Sequence, residues 1–105
     1  MKTKLLTALI AIAISNPASA VLSIGAPDCG EWLKDTGARG EMNKSWLLGF
    51  MSGLNLDGRN ANPNQLRKIS SAKQIYVWMD NYCRKNPLKT LHDGGQDLMI
   101  ELDNK

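Results

Sequence analysis

The sequence predicts a small all-α domain, a bundle of about four helices stapled by one disulfide bond and preceded by a cleaved signal peptide. Three observations support this fold class. Apolar residues beyond position 28 recur at helical spacing, and no stretch keeps the alternation of a strand. The chain has two cysteines, far apart in sequence. Residues 1–20 have the composition of an export signal.

The export signal consists of three parts. Lys2 and Lys4 give a positive start, residues 5–14 form an apolar run, and Ala18-Ser19-Ala20 supplies a small-residue cleavage site. The run is too short for a membrane anchor, which needs about 20 apolar residues. We therefore expect cleavage after Ala20, a single domain over residues 21–105, no membrane anchor after processing, and a periplasmic location.

Composition narrows the class of partner. Removing Lys2 and Lys4 from the 13 Lys and Arg residues leaves 11, against 10 Asp and Glu. The remaining charges are scattered along the chain, which argues against nucleic acid and membrane surfaces as partners.

Cys29 and Cys83 are predicted to form a disulfide bond, because an exported protein with two cysteines usually pairs them. The rival interpretation is a redox-active thiol, since Arg84 and Lys85 would favour a thiolate at Cys83. No C-x-x-C motif and no evident catalytic partner accompany that thiol.

The first two helices are predicted from caps and periodicity. Asp28 and Glu31 have capping-box spacing at the start of a short helix whose apolar side is Trp32 and Leu33.

A second helix is expected from Glu41 to Asn55, followed by an exposed loop over 55–64. Its predicted apolar arc comprises Met42, Trp46, Leu47, Phe50, Met51 and Leu54, beside which Gly49 and Gly53 are expected to admit a close neighbour.

The last two helices are predicted to follow each other almost without a loop. Ser71 and Gln74 have capping-box spacing for the third, which should end near Lys85. Its predicted inner face is Ala72, Ile75, Trp78, Met79, Tyr82 and Cys83.

Asn86 and Pro87 are expected to begin the fourth helix, which runs to about Leu102. Its predicted inner face is Leu88, Leu91, Leu98, Met99 and Leu102, with Gly95 at a helix crossing and a kink near Asp93–Gly95.

Residues suited to catalysis or metal binding are scarce. His92 is the only histidine, and Asp93 and Asp97 are read as a solvated face. No cluster has the spacing of a metal site, a calcium loop or a phosphate-binding loop. We therefore expect no catalytic residues, no metal and no cofactor, and a protein that is not an enzyme. The out-of-class alternative is an uncharacterised enzyme.

Trp32, Trp46 and Trp78 are many tryptophans for so short a domain. Packing in the core explains at least two of them. One is expected to lie at a partner surface, where aromatic anchors are favoured.

The chain resembles the HdeA-type periplasmic proteins, which are small exported helical domains with one disulfide bond between an early and a late helix. The resemblance lies in "DCGEWL" (28–33), "GFMSGLN" (49–55) and "QIYVWMDNYC" (74–83), and it implies the Cys29–Cys83 pair. The chain is also similar to the Tai-type immunity proteins, which neutralise type VI secretion amidases in the periplasm. Its Cys-x-x-Asn-Pro-Leu ending (83–88) and final amphipathic helix carry that second similarity.

The two resemblances imply different functions, both based on protein binding. HdeA-type proteins are acid-activated chaperones for unfolded clients, whereas immunity proteins inhibit one exported enzyme. A third interpretation is an accessory protein of a secretion or conjugation system. The sequence leaves open which of these partners is bound, and whether the protein forms a homodimer.

Overall fold

The computed structural model describes residues 22–56 and 65–105, and within them all regular structure is helical. Four α-helices follow in order: α1 (Cys29–Lys34), α2 (Gly37–Leu56), α3 (Ala72–Lys85) and α4 (Leu91–Asp103). A short 3-10 helix, Gln65–Lys68, precedes α3. The all-α class is therefore confirmed, whereas the signal peptide and most of the predicted 55–64 loop lie outside the described residues.

The predicted disulfide bond is present. Cys29, the first residue of α1, is bonded to Cys83 near the end of α3, with their Cα atoms 4.9 Å apart. Both cysteines are fully buried. The bond joins residues 54 positions apart and fixes α1 against α3.

The core lies where α2, α3 and α4 meet. Its most deeply buried apolar side chains are Leu47 and Met51 from α2, Met79 from α3, and Leu91 and Leu98 from α4. Most predicted apolar positions lie in or against this core. Three are wrong: Leu33 is 43% exposed, Met42 is 69% exposed and Leu88 is 97% exposed.

One of the two capping boxes predicted from the sequence is present. The α1 capping box is confirmed, because Asp28 accepts from the Glu31 amide and Glu31 accepts from the Asp28 amide. The α3 box is wrong: Ser71 precedes the helix but makes no side-chain cap, and Gln74 instead accepts from the Ser70 amide.

The predicted start of α4 at Asn86–Pro87 is also wrong. Asn86 ends α3, its amide donating to the Tyr82 carbonyl, and 87–88 form a turn. The helix begins after Thr90, whose hydroxyl forms a capping box with Asp93. It then continues unbroken through Gly94 and Gly95 to Asp103.

Long-range backbone bonds explain where α4 begins. The Cys29 amide donates to the Lys89 carbonyl and the Leu91 amide donates to the Pro27 carbonyl, both at 2.9 Å. Asp28 and Thr90, the two N-cap residues, thus face each other in an isolated antiparallel bridge. Residues 87–88 form a turn and residues 89–90 pair with the start of α1, so this stretch is not available to begin a helix.

The glycines of α2 and α4 differ in their surroundings. A Cβ atom at Gly95 would lie 2.8 Å from ring carbons of Phe50, so the predicted helix crossing at Gly95 is confirmed, and the crossing helix is α2. A Cβ atom at Gly94 would lie 2.7 Å from the Met79 sulfur. At Gly49 and Gly53 nothing lies within 4 Å, so the predicted close neighbour for those two residues is absent from the described part of the chain.

Removing the disulfide bond is expected to destabilise the domain. The double variant Cys29→Ser/Cys83→Ser should lose roughly 2–5 kcal/mol of unfolding free energy, because the unfolded chain regains the freedom that the crosslink removes. Urea denaturation followed by circular dichroism measures the loss. Unchanged stability would show that the bond contributes little to the fold.

Gly95→Ala should destabilise the fold by about 1–3 kcal/mol, because the added methyl group overlaps the Phe50 ring. That ring lies between Trp46 and His92, each with its ring centre 5.0 Å away, and has little room to move. Gly53→Ala is the matched control on the open face of α2. It should leave the monomer unchanged or stabilise it by up to about 1 kcal/mol. Equal melting temperatures for the two variants would contradict the packing described at Gly95.

Candidate protein-binding groove

One concave feature among the described residues lies between the α1–α2 turn and α3, close to the disulfide bond. We call it the corner groove. Its volume is about 450 Å³, and it is open to solvent on one side. It is lined by Trp32, Asp35, Thr36, Gly37, Gly40, Glu41, Lys44, Lys73, Tyr76, Val77 and Asp80.

The aromatic floor of the groove is held by the same pair of helices that the disulfide bond joins. Trp32 follows Cys29 by three residues in α1, and Asp80 precedes Cys83 by three residues in α3. The Trp32 indole N–H donates to the Asp80 carboxylate at 2.7 Å. The Trp32 and Tyr76 rings pack at a tilt, with centres 6.1 Å apart. The Cys29–Cys83 crosslink, the Trp32–Asp80 hydrogen bond and the Trp32–Tyr76 ring contact together fix the position of Trp32 relative to α3.

The groove is lined by charged side chains of both signs, and most of them pair with a neighbouring side chain. Glu41 pairs with Lys44 at 3.3 Å, and the Lys44 ammonium also lies 5.3 Å from the centre of the Tyr76 ring. The Asp35 carboxylate accepts a hydrogen bond from the Asn43 amide at 3.2 Å. Such a groove presents apolar and polar contacts side by side, without a field of one sign that would select a highly charged partner.

Val77 is the exposed apolar residue of the groove. It is 56% exposed on α3, one helical turn after Lys73. Neither Val77 nor Tyr76 was predicted as a site residue, because both lie outside the predicted apolar face of α3. The sequence signal for Val77 is a valine on the polar side of an amphipathic helix, with no other apolar residue beside it on that side.

The three tryptophans differ in exposure. Trp32 is 8% exposed, so it contributes the floor of the groove and little surface that a partner can cover. Trp46 and Trp78 are partly buried and pack against the core. Of the three tryptophans, Trp32 alone lines the corner groove.

Trp46 anchors the N-terminal segment. Its indole N–H donates to the Ile24 carbonyl at 3.0 Å, and its ring stacks on Phe50. Nearby, Ser23 Oγ lies 2.7 Å from His92 Nδ1. His92 thus has a structural contact on each side, the Ser23 hydroxyl and the Phe50 ring.

Trp78 links α3 to α4. Its ring stacks on Tyr82 at 5.2 Å, and its indole N–H donates to Glu101 at 3.1 Å. Burial raises the pKa of Tyr82 to about 12, and the nearby carboxylates of Asp97, which also accepts a hydrogen bond, and Asp93 act in the same direction. The phenol is therefore strongly held in its neutral form.

The described residues contain no group of three or more His, Cys, Asp or Glu side chains that would hold a metal ion. In the same part of the chain, no helix has the length and apolarity needed to cross a membrane. The chain matches no protein-family model, no curated protein and no solved structure.

The Tyr82 environment gives a testable pH dependence. The folded state favours the neutral phenol, so the stability it contributes is complete below the ordinary pKa of 10.0 and is lost as the pH rises toward about 12. An absorbance titration of tyrosinate should show a late component near pH 12 that is missing in Tyr82→Phe. A wild-type titration curve with no such component would contradict the described surroundings of Tyr82.

Proposed function

We propose that this protein is a periplasmic protein that binds one folded partner protein through the corner groove, as an inhibitor or immunity-type protein does. The observation that carries the proposal is an open groove with an aromatic floor, fixed by a disulfide bond and a Trp32–Asp80 hydrogen bond. An exported enzyme is the partner class we favour, and a component of a secretion or conjugation system is the runner-up.

Rigidity supports binding as the function. A surface that is already ordered loses little conformational entropy when a partner docks, so more of the contact energy appears as affinity. The floor residue Trp32 belongs to a six-residue helix that is too short to be stable alone. The position of Trp32 therefore depends on the crosslink at Cys29, so the disulfide bond stabilises the corner groove.

The lining of the groove suggests the chemistry of the docked element. A volume of about 450 Å³ accommodates a loop with one or two inserted side chains, and does not accommodate a helix along its length. Tyr76 and Val77 offer apolar contact, while Asp35 and Lys73 lie at the polar margin. We infer that the partner inserts a loop carrying an apolar or aromatic side chain flanked by polar groups.

A second candidate function, an HdeA-like acid-stress chaperone, is favoured by one observation. The indoles of Trp32 and Trp78 both donate to carboxylates, Asp80 and Glu101. Both acceptors are acidic side chains, and the two bonds tie α1 to α3 and α3 to α4. The crosslink limits how far the chain can open.

The groove is tested by the substitution Val77→Glu. A charge placed on the exposed apolar wall should reduce affinity for the partner at least tenfold, because it must be desolvated when the loop docks. Ile100→Glu is the matched control: the original side chain is 60% exposed on α4, away from the groove lining. Affinity is measured against the exported enzyme or secretion component encoded beside this gene, by calorimetry at pH 7.

The same two positions give a test in cells. A photo-crosslinking amino acid at Val77 should yield one discrete adduct in the periplasm, identified by mass spectrometry, whereas the same amino acid at Ile100 should not. Equal loss of affinity in Val77→Glu and Ile100→Glu, or the same adduct at both positions, would refute the groove as the docking site.

A client-aggregation assay at low pH distinguishes the inhibitor from the chaperone. We expect this protein to suppress the aggregation of a client protein no more at pH 2–3 than at pH 7. Tryptophan fluorescence, recorded in parallel, reports whether the helices separate. Strong suppression confined to low pH, with a matching fluorescence change, would replace the inhibitor with the acid-stress chaperone.

A further inference from the structure

The turn between α3 and α4 carries the most exposed large apolar side chain of the described residues. Leu88 is 97% exposed, and it lies in a short segment, residues 84–89, that we call the basic tip. No acidic residue occurs at positions 81–92. Three exposed cations flank Leu88 in the tip: Arg84, Lys85 and Lys89.

Hydrogen bonds at both ends hold the basic tip in one shape. The backbone amide and the side-chain amide of Asn86 both donate to the Tyr82 carbonyl at 2.9 Å. The Lys89 amide donates to the Asn86 carbonyl at 3.0 Å, and the Lys89 carbonyl accepts from the Cys29 amide at 2.9 Å. The turn therefore presents Leu88 at a fixed position, and an apolar side chain held in this way contributes nothing to the core.

The cations of the basic tip lack a counter-charge among the described residues. None of the three forms an ion pair there, and Arg84 bonds to the Asn81 side chain at 3.3 Å. Two carboxylates lie close to the tip, those of Asp28 and Asp93, and both accept backbone amides at the starts of α1 and α4. The tip therefore offers positive charge to a partner, although the acidic and basic residues nearly balance over residues 21–105.

Two further exposed aliphatic side chains lie at the same end of the fold. Leu22 and Ile24 are each 92% exposed. Between them, Ser23 Oγ lies 2.7 Å from Nδ1 of His92, the second residue of α4. Residues 22–24 are therefore held beside the helix end that the basic tip precedes. We call the basic tip and residues 22–24 together the anchor surface.

We propose that the anchor surface binds a membrane of anionic phospholipid. Leu88, Leu22 and Ile24 enter the boundary between headgroups and acyl chains, while the tip cations contact the lipid phosphates. A pocket on a folded protein takes up one protruding side chain, whereas a fluid lipid surface accommodates several separate ones at once. The charges scattered along the sequence argued against a membrane surface, but the fold places three unpaired cations beside exposed aliphatic side chains.

The separate contributions are small, so the binding should be reversible and sensitive to salt. Each Lys or Arg near an anionic surface raises the affinity about fivefold. The Debye length falls from about 10 Å at 0.1 M salt to about 3 Å at 1 M, so added salt should release the protein. The inference goes beyond the proposed function, because no residue of the anchor surface lines the corner groove.

Vesicle flotation tests the proposal with the oxidised chain that begins at Val21. Vesicles of phosphatidylglycerol and phosphatidylcholine in equal parts should bind the protein at least tenfold more tightly than phosphatidylcholine alone. Leu88→Ser should weaken this binding at least fivefold, because a buried aliphatic side chain is lost. Ile100→Ser is the matched control, since Ile100 is 60% exposed on α4 outside the anchor surface, and it should bind as wild type does. Circular dichroism verifies that both variants are folded.

A charge reversal separates the role of the tip from a general effect of net charge. Lys89→Glu should weaken binding to the anionic vesicles at least tenfold, because two units of charge are changed in the anchor surface. Arg67→Glu makes the same change at an exposed cation of the 3-10 helix and should alter binding less than twofold.

Two results would overturn the proposal. The first is a wild type that binds neither kind of vesicle, which would mean that the basic tip meets a protein surface or none. The second is equal weakening by a tip variant and its matched control. Either result leaves the corner groove untouched, because the Val77→Glu affinity is measured with a protein partner and without lipid.

Discussion

The crosslink between Cys29 and Cys83 is the constraint on which the position of α1, the start of α4 and the corner groove depend. It joins a helix of only six residues to the end of α3, and the bonds around it follow from that junction. With Cys29 fixed, Pro27 and Lys89 exchange backbone hydrogen bonds with Leu91 and Cys29, and this sets the start of α4. The helix α4 then crosses α2 and α3 at Gly95 and Gly94, the two positions without a side chain to separate them.

The same constraint shapes the corner groove. Helix α1 supplies Trp32, α3 supplies Tyr76, Val77 and Asp80, and the α1–α2 turn closes the end. None of these elements forms a groove alone, and α1 has too few residues to hold its position without a tertiary tie.

Local signals in the sequence were sufficient for much of the fold. Helical periodicity located α2, α3 and α4, although α2 begins at Gly37 and not at the predicted Glu41. The Asp28–Glu31 box marked the start of α1, and the cysteine count predicted the crosslink. The errors have tertiary causes. Pro87 suits a helix start, but residues 87–88 form a turn and Lys89 and Thr90 pair with the start of α1, so Thr90 caps α4 instead. The apolar arc of α2 covers half its circumference, and only packing against α4 decides that Phe50 faces inward while Met42 does not. The groove was not predicted because its residues come from separate elements.

The central claim is that the crosslink holds α1 in place and thereby shapes the groove, while the α2–α4 pair is stable without it. Amide hydrogen exchange, measured residue by residue by NMR in the wild type and in Cys29→Ser/Cys83→Ser under conditions where the variant stays folded, tests this most directly. The account predicts that protection is lost across Cys29–Lys34 and at the Leu91 amide, whereas Leu47–Leu54 of α2 stays protected. Protection lost evenly over all helices, or retained in α1, would contradict it.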